Sequence, residues 1–195
     1  MKAYGSRRLL VSHVENATTF YAYEEKEATM MNDMKMLLSL QCETLNCLKR
    51  APSVGDIVGV RVEDQLFRGR VEQLGQGESI NVIKTKIIDF GWDISVDSQQ
   101  LFMLDSTISN LKVRCLKYKL AGVRPKGISD GFSAHDRFRG RGWLRKLVNN
   151  AVVLATGVHC NKYLGTYEAD CSVGNVNLNS LVLSKGFAVR KQCWC

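Results

Sequence analysis

Residues 9–14 and 18–23 are rich in β-branched and aromatic side chains and are separated by Glu15-Asn16, the pattern of a β-hairpin. Two strands by themselves are barely stable in water, since both edges are unpaired and one face is uncovered. The next residues cannot extend that sheet, because the period changes. From residue 27 to about 48, Met30, Met34, Leu37, Leu38, Leu45 and Leu48 recur at three- and four-residue steps. That spacing marks a long amphipathic helix whose methionines serve packing. The hairpin therefore needs strands from much further along the chain, and the intervening stretch is an insertion.

Ala51-Pro52-Ser53-Val54-Gly55 stops the helix, because proline lacks an amide donor and disfavours helical geometry in the residue before it. Short strands are predicted at 56–62, 66–73, 79–89, 93–96 and 101–103. Their separators, Glu63-Asp64, Gly75-Gln76-Gly77-Glu78, Gly91 and Asp97-Ser98, are turn formers. Many short strands with tight turns make a small antiparallel barrel over 52–104. Beyond it come a strand at 111–120, a Gly- and charge-rich stretch at 124–142, and a short helix at 143–149. A strand pair at 151–159 and 162–171 comes next, then a helix at 176–185 ended by Gly186 and an extended 187–190. Residues 9–23 with 105–190 then form an OB-like barrel, and 27–48 link the two. With 45% apolar residues, 195 residues can supply two cores.

No apolar run is long enough to span a membrane and Met1 does not open a signal peptide, so a cytosolic or nuclear protein, or a piece of a larger one, is expected. The seven cysteines are odd in number and lack C-x-x-C spacing, so reduced thiols are expected. Cys193-Trp194-Cys195 is a weak zinc signal, and His13, His135 and His159 have no partner at a metal-like spacing; neither a metal nor another cofactor is expected. A net charge of +8 permits acidic or nucleic-acid partners. The densest basic cluster, Arg137, Arg139, Arg141, Arg145 and Lys146, interleaves with Phe138 and Trp143. It is expected to be a solvated face with both aromatics turned to the core. The alternative is a track for a single-stranded RNA backbone with stacked bases.

The most informative residues are Asp64-Gln65-Leu66-Phe67-Arg68-Gly69-Arg70-Val71 and Ile87-Ile88-Asp89-Phe90-Gly91-Trp92. They resemble the two signatures of Tudor domains, D-x-W-Y-R-A-x-V and F-I-D-Y-G-N. Val54-Gly55-Asp56, the stretch 116–125 around Leu120-Ala121-Gly122-Val123, and the closing stretch 181–188 are similar to flanking segments of extended Tudor domains. The resemblance runs from about Leu9 to Ala188. It implies a mainly β protein with a few helices, an SH3-like Tudor barrel inserted into an OB-like, staphylococcal-nuclease-like barrel and joined to it by the long helix.

It also implies function. Members enclose a methylated arginine in four aromatics and an Asn, because a delocalised cation stacks on π-faces at little desolvation cost. The matching positions here hold Arg61, Phe67, Ile87, Phe90 and Trp92, an incomplete cage that favours unmethylated arginine or indifference to methylation. Asp89 is expected to pair with Arg68 or serve as a charge partner for the peptide. The competing reading has Phe67, Phe90 and Trp92 filling the barrel core. The implied setting is the germline piRNA pathway, with an arginine-rich tail of a Piwi-clade Argonaute as partner and cytoplasmic germ granules as location. An enzyme is not expected. Asp130, Asp136, Glu168 and Asp170 lack the clustering of a metal-dependent phosphodiesterase, and no phosphate loop or nucleophile set is apparent.

Overall fold

The computed structural model describes residues 5–75, 81–161 and 163–191. The chain divides into two compact units, one holding residues up to Lys26 and from Cys115 onward, the other Glu27–Arg114.

The first unit opens with β1 (Arg7–Asn16) and β2 (Thr19–Glu24), a hairpin as expected, although β1 runs through Glu15-Asn16 and the turn falls at Ala17-Thr18. The Asn16 side chain accepts the Thr18 amide at 2.9 Å and so moves the turn. The hairpin does pair with distant strands. With β9 (Leu116–Leu120), β11 (Val152–Asn161), β12 (Thr166–Val173) and β13 (Val176–Asn177) it forms one sheet in the order β11-β1-β2-β9-β12-β13, and β11 also pairs with β12. That pairing closes the sheet into a barrel, which removes the exposed edges. Leu9, Phe20, Ala22, Tyr118, Leu120, Val153, Ala155 and Ala169 fill it, all fully buried, with Phe20 stacked on Tyr118 at 5.9 Å. The short β10 (Val123–Pro125) pairs with β14 (Ala188–Arg190), and α4 (Leu178–Ser184) carries the buried Asn179, which accepts the Cys171 amide and donates to the Ala121 carbonyl. Gly186 follows α4 at φ 73°, the expected cap.

Three assignments differ. The strand expected at 111–120 begins only at Leu116. The helix expected at 176–185 starts at Leu178, because 176–177 pair with β12. The helix expected at 143–149 is α3 (Ala134–Val148), starting within the Gly-rich stretch. Ser133 and Asp136 form a capping box there, offsetting the low propensity of Gly140 and Gly142. Gly140 is itself a packing device: a Cβ would meet Ala17 Cβ and Phe187 Cδ1 at 3.1 Å.

The second unit contains α1 (Ala28–Cys42), β3 (Asn46–Cys47), β4 (Ile57–Val62), β5 (Gln65–Gln73), β6 (Val82–Ile87), β7 (Asp93–Asp97), β8 (Leu101–Met103) and the short α2 (Ser106–Ser109). Its antiparallel sheet runs β3-β8-β4-β5-β6-β7 around Val58, Val60, Val71, Ile83, Ile87, Val96 and Leu101. Met31, Met34 and Leu38 bury one stripe of α1, which packs on β5. The helix stops well before the expected residue 48. Leu45 and Leu48 keep helical spacing, but Asn46-Cys47 pair with Met103-Phe102 of β8, and a sheet edge outcompetes further helix. Of the strand expected at 79–89, residues 79–80 lie outside the described residues and 88–89 belong to a turn. No helix among the described residues is long and apolar enough to cross a membrane.

Candidate functional site

The hairpin of β4 and β5 turns at Glu63-Asp64, which sets Val60 opposite Phe67 and Arg61 opposite Leu66. Cross-strand partners share a face. Phe67 thus lies on the core side with the buried Val60, whereas Arg61 projects from the other face. Arg61 is exposed there, donating to the Glu63 carbonyl at 3.3 Å with Asp64 Oδ1 3.8 Å away. It is not a wall beside Phe67, contrary to the expected placement; strand alternation, not motif spacing, decides the side.

Between β6 and β7 the chain reverses over Ile87–Trp92. Gly91 has φ 88°, its amide donates to the Ile87 carbonyl at 2.7 Å, and the Ile87 amide donates to the Trp92 carbonyl at 2.9 Å. A Cβ is strained in that left-handed conformation, so glycine lets the turn form without that strain. The turn brings Phe90 within 5.7 Å of Phe67 at 82° and Trp92 within 5.5 Å at 76°. Both are edge-to-face contacts of favourable quadrupole geometry. All three rings are half-buried and pack against the barrel core, so they form one cluster that is both core and rim. Ile87 lies beneath them, fully buried.

A cavity of about 410 Å³ opens at this rim, with Phe67 and Phe90 in its wall and Lys35, Leu38, Ser39 and Asp64 also lining it. Lys35 of α1 places Nζ 5.4 Å from the Phe90 ring centroid, within cation–π range. Lys35 and Asp64 are site residues that sequence reasoning missed. Lys35 is visible only once the helix packs on β5, whereas Asp64 could have been found from its position in the hairpin turn next to Phe67.

Asp89 is unavailable to a ligand. It is buried, and its carboxylate accepts both arms of the Arg68 guanidinium, at 2.8 Å from Nε and 2.5 Å from Nη2. Arg68 Nη1 also donates to the carbonyls of Ile108 (3.0 Å) and Leu111 (2.6 Å), which satisfies the guanidinium and holds the segment after β8 against the barrel. The expected pairing of Arg68 with Asp89 is present; a rim role for Asp89 is ruled out by its burial.

The four carboxylates that a phosphodiesterase site would draw on, Asp130, Asp136, Glu168 and Asp170, are each engaged. Asp130 binds Arg124 and the Gly127 amide, which hold it far below the usual carboxylate range. Asp136 caps α3 and its carboxyl is lowered by Ser133, Glu168 pairs with Lys191, and Asp170 accepts from Asn179. Among the described residues no three His, Cys, Asp or Glu side chains gather as metal ligands, and Cys193 and Cys195 lie outside those residues. Burial pushes the Cys171 thiol up to about 12, which keeps it protonated and inert.

A closed OB-like barrel, interrupted in sequence by a second barrel with an aromatic rim, is the extended Tudor fold. The sequence model of the Tudor domain matches residues 6–122, and the chain belongs to that family. Solved structures agree over nearly its whole length. The human TDRD1 extended Tudor domain, in complex with a symmetrically dimethylated peptide, superposes with a TM-score of 0.77 at 19% identity, covering 98% of this chain and 93% of that one. Domain TD3 of mouse TDRD1, in complex with a MILI peptide containing dimethylarginine, gives 0.78 at 13%, covering 98% and 96%. The extended Tudor domain of Drosophila melanogaster Tudor-SN gives 0.79 at 18%, covering 96% and 85%. None of the curated proteins matches the chain in sequence.

Proposed function

We propose that the domain is a non-catalytic interaction module whose rim cavity takes an arginine side chain of an RG-rich peptide, and that methylation of that arginine adds little. The observation that carries this is the perpendicular pair Phe67 and Phe90 with a cation already resting on one of its faces. A guanidinium entering there exchanges one cation–π contact for another and gains Asp64 at the mouth as a charge partner. Trp92 backs Phe67 rather than standing as a further wall. Ile87 supplies no π-face, so methyl groups gain less aromatic contact than in a complete cage. The peptide complexes of the human and mouse TDRD1 domains support an arginine peptide as ligand. A Piwi-clade Argonaute tail in a germ granule, within a larger multidomain protein, is the setting we assign.

Calorimetry with one RG-rich peptide, unmodified and symmetrically dimethylated, tests both halves. Binding is expected to weaken about ten-fold in a Phe67→Ala, Phe90→Ala variant, the scale of one desolvated cation–π contact. The two peptides should bind the natural domain within about three-fold of each other. Unchanged binding by the folded double variant moves the site elsewhere. A ten-fold preference for the methylated peptide, about 1.4 kcal/mol, sinks the methylation half.

Lys35 gives a second expected result. If it competes for the Phe90 face, Lys35→Ala should tighten the unmodified peptide by about two- to five-fold, equivalent to about 0.5–1 kcal/mol for an exposed cation–π contact. Weaker binding by this variant would instead make Lys35 part of the peptide contact.

A further inference from the structure

Of the two aromatics in the basic cluster, only one turns to the core. Trp143 packs against Phe187 with ring centroids 5.4 Å apart, within the first unit. Phe138 is 70% exposed. Its place on α3 accounts for this: at 3.6 residues per turn it lies about 160° round the helix from Gly140, the glycine pressed against Ala17 and Phe187. Arg145, seven residues on, falls within about 20° of Phe138 on the same outer stripe. Gly142, one turn on from Phe138, adds no side chain to that stripe, and a Cβ there would stand in open space.

The charge around this ring is largely uncompensated. Arg137, Arg145 and Lys146 make no ion pair among the described residues, and Arg139 reaches Asp136 only at 4.0 Å. Arg141 is different, since its Nε donates to the Val14 carbonyl at 2.9 Å and holds the helix on β1. Asp136, the lone acid of the helix, is engaged in the capping box with Ser133. An exposed phenyl ring framed by unpaired cations is poorly suited to an apolar protein partner, which would have to strip water from those charges without compensation. It suits a ligand with alternating anions and flat faces.

We propose that the outer face of α3 binds single-stranded nucleic acid, a base stacking on Phe138 while Arg137, Arg145 and Lys146 neutralise flanking phosphates. A duplex hides its base faces and gains only the charge contacts. This surface belongs to the unit that does not contain the peptide cavity, so it stands or falls independently of the peptide reading.

The test is fluorescence anisotropy of the whole chain with a labelled twelve-nucleotide uridine oligomer and with a duplex of equal length. The single strand should bind more tightly than the duplex. Phe138→Ala should weaken it roughly ten-fold and Phe138→Tyr should restore it, since only a stacking ring is required. Changing Arg137, Arg145 and Lys146 together to Gln should flatten the salt dependence by about 2 in log–log slope, at about 0.7 per single-strand phosphate. Equal affinity for duplex and single strand, an unaffected Phe138→Ala variant, or binding of phosphatidylserine vesicles in place of the oligomer would each overturn the assignment.

Discussion

A chain that begins at Glu27 is expected to lose the fold of its C-terminal part while keeping that of residues 27–114. The deletion removes β1 and β2, which occupy the middle of the sheet, between β11 and β9. It takes away the fully buried Leu9, Phe20 and Ala22 and exposes Val153 and Tyr118, their neighbours across the strands. Each buried Leu or Phe side chain is worth about 1.5–3 kcal/mol, and the opened strands add unpaired amides and carbonyls. Leu9 and Phe20 alone reach the lower end of typical domain stabilities of about 5–15 kcal/mol, and the backbone groups left unpaired along β11 and β9 add to the loss. The nitrogen–proton correlation spectrum should show collapsed signals for residues from Cys115 onward beside dispersed signals for the other unit. Dispersed signals throughout would mean that the later strands close a barrel without the hairpin.

Replacing Asp89 by Ala is expected to destabilise the second unit by about 3–5 kcal/mol. The change removes one partner of a fully buried ion pair and strands the Arg68 guanidinium where water cannot reach it. The loss should spread, because the same guanidinium binds the carbonyls of Ile108 and Leu111. Amide exchange in β5 and β6, followed alongside denaturant unfolding, reads the effect. The paired variant Arg68→Met, Asp89→Leu should recover part of the loss, since burying two apolar chains carries no unpaired charge, while the carbonyls of Ile108 and Leu111 lose the donor that Arg68 supplied. A cost below about 1 kcal/mol for Asp89→Ala would show that solvent reaches the pair.

Much of this arrangement was legible because local patterns act locally. Glycine at 91 and 186 and the β-branched and aromatic runs of the first hairpin each constrain a few backbone torsions, and each has its expected consequence; proline at 52 is not what ends the helix, because α1 already stops at Cys42 and β3 intervenes. Misreadings arise where a distant partner outweighs a local preference. Leu45 and Leu48 look helical until β8 offers Asn46-Cys47 a strand partner, and Gly140 looks like a loop residue until Ala17 and Phe187 need the space.

For the candidate site the division is finer. Short-range chemistry along the chain was enough to bring Phe67, Phe90 and Trp92 together, since a tight hairpin and a glycine turn set adjacent strands in one register. It was also enough for Arg68 to find Asp89. Which side of β4 Arg61 occupies, that Asp89 is sealed from ligands, that Lys35 covers Phe90 and that Phe138 faces water all emerged only from the packed molecule. Burial and facing depend on how an element packs against residues far away in the chain, and no spacing along the chain records those neighbours.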